Sequence, residues 1–232
     1  MFVRRSLLVL PLALMVVRCA DQSPTALNTM RTSETPLFLQ WAANVAPQFS
    51  ATSSKHQRGN GRGDKKSPPI SLDRYQATFW AVRGEARSIQ INYQSSIDDS
   101  THPFLRLTTS DPEFAPGVGA IARGDSVLIT VTVDTTMIGV KFEPSGLQFG
   151  DHSELKIWYG GAGGDMNGDA VVDSIDARIE QQLLGLWYRE GNDDAWTNLP
   201  ASQYIADKSF KYALPHFCWY AIAAVRELAV SW

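Results

Sequence analysis

Cysteine is nearly absent from this chain, with only Cys19 and Cys218 in 232 residues. With Cys19 committed to the N-terminal segment described below, no intrachain disulfide can staple the fold, and an apolar core has to hold it. Histidine is equally sparse: His56, His102, His152 and His216 stand singly, and no acid–base pair can be named from their spacing. No G-x-S-x-G, phosphate-binding glycine loop or His-rich metal motif occurs, so the sequence reads as non-enzymatic. Long hydrophobic runs are missing too. The longest, Leu7 to Val17, is too short to cross a bilayer as a stable anchor.

That run is informative for what flanks it. Arg4 and Arg5 precede it and Cys19 closes it, which is the layout of a signal peptide. A cysteine in that place resembles the lipobox of bacterial lipoproteins, whose thiol receives diacylglycerol and becomes the new N-terminus. The resemblance implies export to the cell envelope and membrane anchoring through a lipid on Cys19. Arg18 departs from the pattern, which has a small residue before the cysteine; plain secretion with cleavage nearby is the alternative. Removing residues 1–18 takes away three arginines and no acid, leaving 18 basic against 24 acidic residues, a balance of −6. Nucleic acid is therefore not expected as a partner.

Residues 19–70 are rich in Ser, Thr, Asn, Gly and Pro and read as a flexible tether, apart from an unassigned apolar island at residues 37–45. From Tyr75 on, short β-branched and aromatic segments alternate with Gly and Pro turns, the spacing of an antiparallel β-sandwich. Expected strands are 75–82, 88–93, 104–108, 126–134, 137–142, 154–159, 186–190, 195–198, 204–206, 209–213 and 218–224. In the fourth, Val127, Ile129, Val131 and Val133 fall on one face. One domain, 71–232, is expected, interrupted by a loop–helix insert at 161–185.

The insert carries the clearest chemistry. From Asp165 to Asp176, oxygen side chains fall at loop positions 1, 3, 5, 9 and 12. Those are calcium-ligand positions: Asp165, Asn167 and Asp169 directly, the Val171 carbonyl at position 7, Asp173 directly or through water, and Asp176 closing the sphere. Four carboxylates in twelve residues repel one another, and a divalent cation removes that repulsion. An all-oxygen set suits calcium and not zinc or copper; the competing reading is a metal-free acidic turn with helix-capping carboxylates. Val172 is expected to fill the apolar eighth position. Ser174 is expected to cap a helix with the apolar stripe Ile175, Ile179 and Leu183, ended by Gly185. The spacing, with Asp at the last position, is similar to the EF-hand-like calcium loop of dockerin domains. Two departures are Ala170 in the sixth position, where Gly makes the turn, and the lack of a second loop–helix copy.

Two further segments, 141–149 (KFEPSGLQF) and 214–221 (LPHFCWYA), together with the 126–133 strand, resemble the ZU-five-like β-sandwich of ankyrins, netrin receptors and bacterial envelope proteins. The resemblance covers about residues 125–224 and implies a scaffold or interaction domain. Some members cleave themselves at the Ser of an HFS motif. Cys218 replaces that Ser here, so acyl transfer at Phe217-Cys218 is chemically conceivable, against the blander reading of a buried core thiol. The aromatic pairs Trp158-Tyr159, Trp187-Tyr188 and Trp219-Tyr220 must each send one ring to each side of a strand. A glycan-binding module is thus a second functional reading, and it needs the outward rings aligned on one face.

Overall fold

The computed structural model describes residues 36–42, 48–55, 65–66, 68, 70–72, 75–95 and 98–226. In chain order the strands are β1 (Leu37–Phe38), β2 (Gln48–Lys55), β3 (Lys65–Lys66), β4 (Ile70–Ser71), β5 (Gln76–Val82), β6 (Arg87–Gln94), β7 (Thr101–Thr109), β8 (Pro112–Ala115) and β9 (Gly119–Ala120). They continue as β10 (Ser126–Val133), β11 (Gly139–Glu143) and β12 (Gln148–Trp158). After a single helix α1 (Ser174–Arg178) come β13 (Leu184–Arg189), β14 (Thr197–Leu199), β15 (Ser202–Tyr204), β16 (Ser209–His216) and β17 (Trp219–Ala224). A seven-stranded sheet runs β14-β13-β17-β11-β10-β5, with β1 also on β17. A ten-stranded sheet runs β15-β16-β12-β7-β6-β2-β3, with β4 on β2 and the β8–β9 hairpin on β12. Every pairing is antiparallel. The fold is mainly β, a two-sheet sandwich with one short helix.

Alternation in the sequence builds the core between the sheets. On β10, Ile129, Val131 and Val133 point inward and are buried, while Thr130 and Thr132 face out. Opposite them the ten-stranded sheet contributes Ile89, Ile91, Leu105, Leu107, Leu155 and Ile157, all sealed from solvent. Pro103, expected as punctuation, lies inside β7 opposite Asn92, next to a register shift on β6. A proline tolerates a strand at such an irregularity, where the ladder is already broken.

Much of the described part of residues 19–70 is strand, which corrects the tether reading and assigns the start of the 37–45 island. β2 pairs with β6 over eight consecutive positions, from Gln48↔Gln94 to Lys55↔Arg87. β1 docks on β17, and Leu39, Trp41 and Phe49 are buried in the core. The composition of this stretch is polar because its outward positions, Ser50, Thr52 and Ser54, line a solvent-facing sheet surface. The inward ones, Phe49 and Ala51, suffice to bury it. The N-terminal segment with Cys19, and residues 56–64, lie outside the described residues.

Candidate functional site

The loop from Asp165 to Asp176 leaves the end of β12 and is pinned to the sandwich on one side. Met166, Asp176 and Ile179 are buried, whereas residues 168–175 are exposed. Gly161, just before the loop, lies against the Trp41 ring so closely that a Cβ there would collide with it. After the helix, Gln203 Nε2 donates to the Glu180 carbonyl at 2.8 Å and to Tyr159 Oη at 3.1 Å, tying the exit to β15.

Within the loop every acidic side chain accepts from the backbone. Asp165 Oδ1 accepts from the Gly168 N–H at 2.6 Å and its Oδ2 from Ala170 at 2.9 Å. Asn167 Oδ1 accepts from Asp169 at 3.0 Å, and Asp169 Oδ1 from Val171 at 2.8 Å. Asn167 Nδ2 also donates to Asp169 Oδ2 at 2.8 Å. Asp176 closes the ring: its Oδ1 accepts from Met166 at 2.7 Å and Asn167 at 3.3 Å, its Oδ2 from Asp173 at 2.8 Å. Burial pushes the Asp176 carboxyl up, but these N–H donors outweigh it and hold the group below the ordinary carboxylate range. Ala170 sits at φ +67°, the left-handed turn that a glycine would make without strain, at a cost of about 1 kcal/mol.

The helix start differs from the expectation. The N-cap is Asp173, not Ser174: its Oδ1 accepts from Ile175 at 2.7 Å, and Asp176 reciprocates on the Asp173 N–H in a capping box. A carboxylate one residue earlier wins because it also complements the helix dipole. The helix is five residues long and runs into a π turn, Ile179–Leu183. Ile175 is 53% exposed and does not belong to the apolar stripe; Gly185 lies in β13 and caps nothing. Val172 is 67% exposed and fills no apolar site.

Among the described residues no three His, Cys, Asp or Glu side chains converge on one ion-sized point. What the loop does have is unused lone pairs. A carboxylate offers about four acceptor sites and an amide oxygen two. By the bonds above, Asp165 and Asp169 each keep about two, Asp173 about three, Asn167 and Asp176 about one. All five side chains thus keep oxygen acceptor capacity, the chemistry a hard cation takes, although they do not converge as they stand.

Other candidate groups fare differently. Cys218 is buried and its thiol donates to the Trp219 carbonyl at 3.6 Å; burial pushes its pKa up to about 12. A thiol so protonated is a poor nucleophile. Cys218 in native protein is expected to resist iodoacetamide at pH 8 over hours, measured by peptide mass spectrometry that separates it from Cys19, and to react once denatured. Fast native labelling of Cys218 itself would show an activated thiol at Phe217-Cys218. The structure also assembles a set that sequence reading missed, Asp98, Ser100 and His102, whose local signal is D-x-S-x-H. His102 Nε2 meets Ser100 Oγ at 2.6 Å and Asp98 Oδ2 at 3.0 Å. Because both partners share Nε2, the carboxylate cannot hold the second ring N–H while Nε2 takes the hydroxyl proton, which is the arrangement a nucleophilic triad requires.

The outward rings do not align on one face. Tyr159 and Tyr220 are buried in the core. Trp158 faces out from the ten-stranded sheet, whereas Trp219 faces out from the seven-stranded sheet. There Lys141 Nζ lies 5.6 Å and the Arg189 guanidinium 4.9 Å from its ring, and Arg189 lies equally far from Trp196. Trp187 is buried, with its indole N–H donating to the Ala223 carbonyl at 2.9 Å.

No family model, curated protein or solved structure matches the chain.

Proposed function

We propose that this is a non-enzymatic exported envelope protein, whose ZU-five-like sandwich is stabilised by calcium at the 165–176 loop and serves a structural or protein-interaction role. The observation that supports it best is Ala170 at φ +67°, at the sixth position of a loop whose five oxygen side chains all keep acceptor capacity. Asp165, Asn167, Asp169, Asp173 and Asp176, with the Val171 carbonyl, would hold the ion, which would supply charge neutralisation and a fixed loop. The sandwich resemblance draws support from its two segments packing together: Phe142 stacks on Phe217 at 4.9 Å, and Gly146 N–H donates to the Phe217 carbonyl at 2.9 Å. Export and a lipid anchor on Cys19 rest on the sequence.

Calorimetric titration with calcium is expected to show one site of roughly 10⁻⁴ to 10⁻³ M, the range of weak extracellular modules. Asp165→Ala with Asp169→Ala should abolish it; heat that persists in the double variant places the ion elsewhere. In a bacterial host the chain should partition with membranes and Cys19→Ser should become soluble. Equal partitioning of the two would end the lipoprotein reading.

A further inference from the structure

The outer face of the ten-stranded sheet carries an arrangement that folding alone disfavours. Arg106 on β7, Lys156 on β12 and Lys211 on β16 stand directly opposite one another in register. Like charges opposed across strands are destabilising. Two flanking carboxylates offset part of this: Glu154 reaches Lys211 at 2.8 Å and Asp207 reaches Lys156 at 2.6 Å. Arg106 is exposed and has no carboxylate partner among the described residues; its Nε and Nη2 both donate to the neutral Gln90 Oε1, at 3.2 and 2.7 Å. The same row continues through Gln90 to Thr52 on one side and to Ser202 on the other. Asn92 joins it by accepting from Gln90 Nε2 at 2.8 Å. The Lys156 ammonium lies 4.7 Å from the Trp158 ring and 5.8 Å from that of Tyr204, which is 48% exposed.

We propose that this face docks an acidic polysaccharide lying across the strands along Gln90, Arg106, Lys156 and Lys211. The planar Arg106 guanidinium takes a sugar carboxylate and the Gln90 and Asn92 amides take hydroxyls. Trp158 and Tyr204 offer apolar rings to sugar C–H faces. Charge complementarity chooses the occupant. The chain as a whole has a formal net charge of −3, yet this row places three cations side by side. Glu154 and Asp207 beside the row would oppose either polyanion, and the neutral Gln90, Thr52 and Ser202 along the same row favour the one that brings hydroxyls on every unit. The inference is independent of the calcium loop.

The test uses the purified full chain with polygalacturonate, its fully methyl-esterified form and a single-stranded oligonucleotide as probes. Polygalacturonate should bind and the neutral ester should not. Arg106→Gln with Lys211→Gln should weaken binding by about tenfold or more, the scale of one charge-assisted hydrogen bond. That variant should melt no lower than the unaltered chain, because a like-charge row has been relieved; Trp158→Ala should weaken binding as well. Lys141→Gln, on the other sheet, should bind normally. Absence of binding, equal binding of the ester, tighter binding of the oligonucleotide, or an equal loss in Lys141→Gln would each overturn the proposal.

Discussion

Replacing Trp41 with alanine is expected to destabilise the fold by about 3–5 kcal/mol, the range for emptying a large aromatic site in a core. The ring packs edge-on against Phe49, Tyr93 and Phe104, with centroids 5.2, 5.5 and 5.0 Å away. Its indole N–H donates to the Asp134 carbonyl at 2.9 Å, so truncation also leaves a half-buried acceptor unpaired. The residue belongs to the apolar island at 37–45 that the sequence leaves unassigned within the expected tether, so the effect decides whether that island is part of the folded domain. Urea unfolding checks it: the midpoint should fall sharply with the slope unchanged. A midpoint equal to that of the unaltered chain would mean that residues 36–42 merely lie along the sandwich. Because the same ring abuts Gly161, the variant should also loosen the entry to the acidic loop.

Asp176→Ala is expected to cost about 2–3 kcal/mol even without calcium. Its side chain is buried and accepts three backbone N–H groups, from Met166, Asn167 and Asp173. Hydrogen bonds to a charged acceptor contribute about 1.5–3 kcal/mol, and loss of the capping box adds to this. Asp173→Ala, with one backbone partner on the exposed side, should cost about 1 kcal/mol. Thermal melts in chelator rank the two. If they proved equal, the loop would not be closed from its buried end, and Asp176 would be a surface carboxylate like the others.

Most strands from β5 onward were legible because burial there follows a period of two with large apolar residues, as Phe79, Ile89, Ile91, Ile129 and Val131 illustrate, but the short β8–β9 hairpin was not, since its Pro112 and Gly119 read as turn residues. β2 was not, because its inward side chains after Phe49 are small and its strand state comes from pairing with β6, a long-range contact that local composition does not encode. The 37–45 island carried apolar residues without a period; its first part is a strand only because β17 presents a free edge position to it. In the loop, the spacing of the oxygen residues was visible. Which carboxylate turns inward was not: the burial of Asp176 depends on Met166 and Ile179 anchoring both ends in the core. The shift of the cap from Ser174 to Asp173 follows from the Asp at 176, three residues on, a pairing that favours 173 over 174 and could have been read from the sequence.

Whether calcium holds this loop is decided most directly by melting the full chain in calcium, magnesium and chelator. At a hundredfold excess over the dissociation constant, calcium should add about 2.7 kcal/mol of stability by mass action. The gain should be transmitted to the sandwich through the buried Met166, Asp176 and Ile179. Magnesium should give far less, since its tight octahedral shell tolerates a flexible loop poorly. Ala170→Gly should enlarge the calcium shift by relieving the left-handed alanine, and Asp165→Ala with Asp169→Ala should erase it. Identical melting of the unaltered chain in calcium and in chelator would contradict the account and leave an acidic turn closed by Asp176 alone.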